Sequence, residues 1–175
     1  MHLTKDFMDF IMLLNRHEVA YMVVGDYAVG FHGYPRYTGD LDIWIKRSEE
    51  NVAKLMHVVK DFGGPHAELN EGDLLREPSK ENPSPGVGFG REPLRIEVLS
   101  AIEGVEFDKC IGNVEEKEIG GVPLKYIHYN DLKKNKLSTG RTKDRADIEE
   151  LEKSEVLKGK LQIIPKRLAR FTVSF

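Results

Sequence analysis

Asp40 and Asp42 stand two residues apart in the run Gly39–Asp40–Leu41–Asp42–Ile43, and a strand returns to the same face every second residue. The two carboxylates would therefore project together, about 7 Å apart at their Cα atoms. Oxygen ligands of this kind suit hard divalent cations. Glu97 offers a third carboxylate. It lies in a second alternating run, Leu94 to Leu99, where Ile96 and Val98 bury one face and leave Glu97 with Arg95 on the other. If the two strands are neighbours, three carboxylates could hold one or two Mg2+ ions about 4 Å apart, the arrangement used for in-line phosphoryl transfer. The alternative is that Asp40 and Asp42 only line the wet face of an antiparallel sheet. The segment before them favours chemistry: a short apolar strand ending at Val24–Gly25 opens straight into a helix, which aims free backbone N–H groups at an anion.

The elements that must position these residues are legible from periodicity. Leu3, Phe7, Phe10, Ile11 and Leu14 recur at helical spacing, with Lys5, Asp6, Asp9, Asn15 and Arg16 on the other face. Tyr21 to Val24 reads as a buried strand, and residues 26–32 as a short helix with Asp26 suited to its start. Gly33 to Gly39 has the turn residues of a loop, and Leu41, Ile43 and Ile45 form the buried face of the next strand. Ser48 caps a second long helix whose stripe is Val52, Leu55, Met56 and Val59. From Phe62 to Pro93 the pattern dissolves into Gly, Pro, Asn, Ser and charge, a length typical of mobile or functional loops. Strands over 114–119 and 122–128 flank the hairpin signal Gly120–Gly121. Helices over 131–137 and 142–153 break at Gly140. The stretch 156–175 carries five basic residues and no acid.

Composition bounds the rest. The chain has 175 residues, 26 Lys+Arg against 29 Asp+Glu, and a net charge of -3. That length points to one domain, read as 1–153 with a loop at about 62–93, followed by a basic tail over 154–175. The balanced charge argues against a general nucleic-acid binder. The longest apolar run, Val19 to Val24, spans six residues, far short of a membrane span of roughly 20. Acid arrives too early at the N-terminus for a signal peptide, so the expectation is a soluble cytoplasmic protein with no membrane partner. A single cysteine, Cys110, excludes a disulfide framework and a thiolate metal cage.

Val24–Gly25, then Gly39–Asp40–Leu41–Asp42–Ile43, then a later strand with Glu97 resembles the DNA polymerase beta-type nucleotidyltransferase superfamily. The stretch from Tyr27–Ala28 through His32, Gly33, Arg36 and Thr38 to Asp42 is closer still to small prokaryotic members, the minimal, antitoxin-type and abortive-infection nucleotidyltransferases. Residues 135–148, with Lys136, Arg141, Lys143, Asp144 and Asp147, are similar to the Lys…Arg-x-Lys-Asp-x-x-Asp helical motifs of that group. The resemblance covers roughly 1–153 apart from the 62–93 stretch. It implies an α+β fold, a mixed sheet flanked by helices with further helices at the C-terminus. It also implies Mg2+, a nucleoside triphosphate as substrate, and transfer of a nucleotidyl group such as that of ATP to a protein, RNA or small-molecule acceptor. A toxin–antitoxin or phage-defence setting, with a partner toxin or antitoxin protein or RNA, follows from the same likeness. Carried over, Asp40 and Asp42 bind metal, Glu97 helps activate the acceptor hydroxyl, and Gly25 lets the backbone approach the triphosphate.

One position departs from the pattern. Asp26 stands where the family has a small or hydroxyl residue, and a carboxylate there repels a triphosphate unless metal, Lys or Arg intervenes; it could instead turn away and cap the following helix. Arg36 and Thr38 are read as phosphate or ribose contacts or as a solvated loop. Lys136 and Lys143 could neutralise triphosphate, Lys136 being favoured because the other face of its helix is apolar. Pairing at i,i+4, as for Lys143 with Asp147, is the bland account of this segment, and Asp144 and Asp147 read as a base or as packing anchors. Trp44 is a base-stacking group or cover for the sheet, and His32 a buried, hydrogen-bonded histidine. Gly86 to Gly90 follows no strand and reads as a flexible lid. The second functional reading is a catalytically silent binding or antitoxin-like partner. A two-domain aminoglycoside-modifying enzyme, expected to be larger, ranks third.

Overall fold

The computed structural model describes residues 3–63, 70–91 and 94–163. The end of the expected basic tail, 164–175, and parts of the 62–93 stretch lie outside them. Helix α1 (Lys5–Arg16) buries Phe7, Phe10, Ile11 and Leu14, with Leu3 just ahead of it, and Thr4 caps it by accepting the Phe7 N–H at 3.3 Å. Burying side chains of this size supplies ~10 kcal/mol, which offsets the entropy of ordering the helix. The chain then runs through β1 (Tyr21–Val23), α2 (Gly25–His32), β2 (Asp40–Ile45) and α3 (Glu49–Phe62). Ser48 caps α3, and Val52, Leu55, Val58 and Val59 are buried along it.

The described part of the 62–93 stretch, residues 70–91, is more ordered than its composition suggests. It contains α4 (Glu71–Leu75), which sinks Leu74 into the core, and β3 (Gly86–Arg91), which pairs antiparallel with β4 (Leu94–Leu99). The glycines expected to form a lid are therefore an edge strand. Their small size has a tertiary cause: a Cβ on Gly88 would sit 2.7 Å from the Arg95 guanidinium, and one on Gly86 would sit 2.5 Å from the Val98 carbonyl oxygen. No local pattern announces this, because glycine lacks the side chain that gives a strand its alternation.

Helix α5 (Phe107–Cys110) and a 3-10 turn (Ile111–Asn113) lead to the hairpin β5 (Glu115–Ile119) and β6 (Val122–Tyr126). Gly120 and Gly121 adopt φ of +58° and +81°, the left-handed pair that a type I′ turn requires. Helices α6 (Tyr129–Thr139) and α7 (Thr142–Ile163) follow, separated by Gly140 at φ +66°. Helix α7 passes through 153 without a break, so the expected tail begins as helix.

The six strands form one mixed sheet in the order β3-β4-β2-β1-β6-β5. β2 runs antiparallel to β1 and parallel to β4, the intervening α3, α4 and β3 supplying the crossover that a parallel pair needs. The core is continuous: Leu41, Ile43 and Ile45 on β2, Val98 on β4, and Tyr21, Met22 and Val23 on β1 are fully buried. His32 is buried, with Nε2 2.8 Å from the Ile127 carbonyl oxygen. Among the described residues no helix is long and apolar enough to cross a membrane.

Candidate active site

The register of β2 against β4 builds the site. Asp42 lies directly opposite Glu97, and Asp40 opposite Arg95, so the alternation that buries Leu41, Ile43, Ile96 and Val98 leaves all three carboxylates on one face. Arg95 reaches across to Glu97 at 3.7 Å. Thr38 sits at the entrance to β2, its Oγ1 accepting the Asp40 N–H at 3.3 Å.

Gly25 closes the site from the side. It adopts φ +60°, and a Cβ there would lie 1.8 Å from Asp42 Oδ2 and 2.7 Å from Asp42 Cγ. Only glycine lets the Asp42 carboxylate pack against the turn. The turn is stitched to β2 by the Val24 N–H, which donates to the Asp42 carbonyl at 3.0 Å. Val24 is the N-cap of α2 and no side chain caps it, so the first turn of the helix, whose Gly25 and Asp26 line the same cavity as the carboxylates, keeps backbone N–H groups without a side-chain acceptor at its cap.

The facing wall comes from α6 and α7. A cavity of about 500 Å³ is lined by Gly25, Asp26, Thr38, Asp40, Asp42 and Glu97 on the sheet side. Asn135, Thr139, Arg141, Lys143 and Asp144 line the helical side, and Glu103 lies between them. Sequence reasoning missed Glu103, which sits in no recognised motif, and gave no role to Asn135, the first residue of the 135–148 segment.

Asp26 does not cap α2. It lies in the first turn, mostly buried, and pairs with both Arg36 and Lys143, the latter at 3.0 Å. Arg36 also donates to Asp147 at 2.9 Å. Asp147 in turn accepts from Lys136 at 2.8 Å, and Lys136 donates to Asp144 at 2.6 Å. The result is one chain of ion pairs running from α2 through the 33–39 loop to α6 and α7.

This chain corrects three expectations. Lys136, favoured as a phosphate contact, is 4% exposed and is consumed by two buried carboxylates beneath the cavity. Arg36 bridges Asp26 and Asp147 rather than lining the cavity. The local Lys143–Asp147 pairing does not form, because tertiary contacts offer each residue a different partner. Lys143, largely exposed and on the cavity wall, is the better placed of the two lysines to meet an anion.

The electrostatics follow from this crowding. Burial pushes the Asp42 carboxyl up to about 7, with the neighbouring charges of Glu97, Asp26 and Asp40 adding to it and Lys136 opposing it. Burial also works to raise Asp144, but hydrogen bonds from Lys136, Thr139 and Arg141 outweigh it and hold that carboxyl at about 2. Among the described residues no three His, Cys, Asp or Glu side chains converge closely enough to enclose a metal ion as they stand, as expected of like charges that repel one another. The donor set nonetheless fits Mg2+ in kind: it is all carboxylate oxygen, and a divalent cation would offset the burial and the added repulsion that hold Asp42 high. Trp44 is not a base-stacking surface facing this cavity. It is 1% exposed and covered edge-to-face by Phe107 of α5.

The chain matches no family model and no curated protein by sequence. Its structure is similar to a protein of Thermotoga maritima classed as a nucleotidyltransferase, with TM-score 0.54 and 18% identity over 87% of this chain and 88% of that one. It is also similar to the antibiotic-resistance factor ANT(2'')-Ia, with TM-score 0.53 and 13% identity over 90% of this chain and 89% of that one. An antigenic nucleotidyltransferase-like protein of Paracoccidioides brasiliensis matches with TM-score 0.53 and 16% identity, over 89% of this chain and 78% of that one. ANT(2'')-Ia has also been solved with adenylyl-2''-tobramycin. What the three likenesses share with one another and with this chain is the nucleotidyltransferase fold.

Proposed function

We propose that this protein is a Mg2+-dependent nucleotidyltransferase that moves a nucleotidyl group from a nucleoside triphosphate to an acceptor hydroxyl. The observation that carries the reading is the β2–β4 register, which sets Asp42 opposite Glu97 with Asp40 on the same face, beside the Gly25 turn. Asp40, Asp42 and Glu97 would hold the metal. Bound there, Mg2+ would neutralise the triphosphate and the charge that develops during in-line displacement. The Gly25 turn and the open start of α2 offer backbone N–H groups to the phosphates. Lys143 adds a cation at the same wall once it leaves Asp26. Glu97 or Asp40 accepts the proton of the acceptor hydroxyl as its oxygen bonds to the α-phosphorus. The bond to pyrophosphate then breaks, and that group departs.

A second reading, a binding protein without catalysis, is favoured by one feature. Asp26 holds Lys143, and Asp144 holds Arg141 at 2.6 Å, so both cations on the cavity wall are already paired. Calorimetric titration of each ribonucleoside triphosphate with Mg2+, on wild type and Asp42→Asn, separates the two. The enzyme reading expects Mg2+-dependent binding that the substitution weakens at least tenfold; a folded wild type that binds none of the four removes it. The toxin–antitoxin or phage-defence setting is a further proposal that rests on the sequence resemblance. Its test is whether expression of the protein, but not of Asp42→Asn, alters cell growth or phage yield.

A further inference from the structure

A second cavity, of about 850 Å³, adjoins the first. The two share Pro83, Ile102 and Glu103 in their walls. We infer that the larger cavity seats the acceptor, that the acceptor is a hydroxylated small molecule with a flat apolar part, and that Glu103 receives its hydroxyl at the junction. The inference rests on the transferase reading above and names its substrate class.

Glu103 is placed by construction. Its carbonyl accepts the Asn135 amide of α6 at 3.0 Å. The next residue, Gly104, adopts φ +79°, and a Cβ there would lie 2.0 Å from Ser138 Oγ of the same helix. Two contacts thus clamp this turn to α6. The Glu103 carboxylate itself is partly exposed and has no hydrogen bond or ion pair among the described residues, unlike Lys46 with Asp108, Glu106 with Lys109 and Arg47 with Glu77. Glu103 lines both cavities, so a group bound at this junction borders the chamber that holds Asp40, Asp42 and Glu97.

The rest of the larger cavity states the ligand's chemistry. Phe107, which covers the buried Trp44 edge-to-face with ring centroids 5.2 Å apart, forms part of its wall together with Ile102 and Val105, a surface suited to a flat apolar body. Charge in the lining is balanced: Lys46, Arg47 and Lys80 stand against Glu103, Glu106 and Asp108. A nucleic-acid backbone needs a basic surface and a polycation an acidic one, and this wall is neither. Its volume matches a small ligand.

Trp44 is the chain's one tryptophan, and because it packs under Phe107 in the cavity wall its emission reports a ligand seated against that ring. The probe is phenyl β-D-glucoside, titrated into the full-length protein at up to 20 mM. Glucose, spermine and a twelve-residue oligouridylate serve as comparisons, and Mg–ATP binding is measured calorimetrically on the same samples. The expected result is a saturable change in Trp44 emission with the glucoside alone. Glu103→Ala, with an unchanged thermal midpoint, weakens it about tenfold, the loss of one hydrogen bond to a charged group. Mg–ATP binding without glucoside binding overturns this inference and leaves the transferase reading standing. Glucoside binding without Mg–ATP binding overturns the assignment of the cavity to an acceptor. Saturation by spermine or the oligouridylate, or equal glucoside affinity in Glu103→Ala, overturns the substrate class.

Discussion

Asp42 pays for its position in stability, and that cost is measurable. Its carboxyl is pushed from 3.8 to about 7 by burial and by Glu97, Asp26 and Asp40. The folded protein therefore binds this proton more tightly than the unfolded chain does. Stability is fully present below about pH 4 and falls as pH rises through about 7, where the folded carboxyl finally ionises. A rise of that size corresponds to ~4 kcal/mol above pH 8, a large share of the roughly 5–15 kcal/mol that holds a domain together. Asp42→Asn keeps the shape and removes the charge. It should leave stability at pH 4 unchanged and raise it at pH 8, lifting the thermal midpoint by about 8–16 °C for a chain of this size. Mg2+ should raise the wild-type midpoint at pH 8 and leave the variant's nearly still, since a cation that binds only the folded form stabilises by mass action. Differential scanning fluorimetry at both pH values, with and without Mg2+, reads all of this. A variant equal to or less stable than wild type at pH 8 would refute the claim that Asp42 is held ionised against its surroundings.

Two further substitutions test the supports of the site. Gly25→Ala should lower stability by about 1.5–3.5 kcal/mol, from the positive φ and the forced movement of Asp42, and should abolish Mg2+-dependent nucleotide binding; a variant with a wild-type melt and wild-type affinity would show that the turn yields freely. Lys136→Met should cost about 3–5 kcal/mol, because it leaves the buried carboxylates of Asp144 and Asp147 short of their shared cation. Urea unfolding checks it, and a loss under 1 kcal/mol would mean that Arg36 and Arg141 neutralise both carboxylates unaided.

Much of the fold was readable because it rests on periodicity. The α1 stripe, the alternation of β2 and β4, the Ser48 cap and the Gly120–Gly121 hairpin are local signals, and each element forms where they place it. Gly86 to Gly90 was not readable as a strand, since three glycines show no alternation and the smallness of Gly86 and Gly88 answers to Arg95, Glu97 and Val98 on the neighbouring strand. The ion pairs were misread for a related reason. Spacing along α7 offers Lys143 to Asp147, whereas the folded chain brings Asp26 and Arg36 from more than a hundred residues away.

For the site the division is similar. Asp40 and Asp42 share a face by the geometry of any strand, and the likeness of their surroundings to nucleotidyltransferase motifs needs no coordinates. That Glu97 stands opposite Asp42 is a matter of register between strands separated by a crossover, and register is set by how two apolar faces pack together. The same holds for the fate of the lysines, for Glu103 at the junction of two cavities, and for Asp26, whose charge is answered by partners from a loop and a distant helix. Sequence alone determined which groups were available and which way each strand would turn them. The tertiary structure decided which charges meet, because burial raises the cost of an unpaired ion until only a paired arrangement survives.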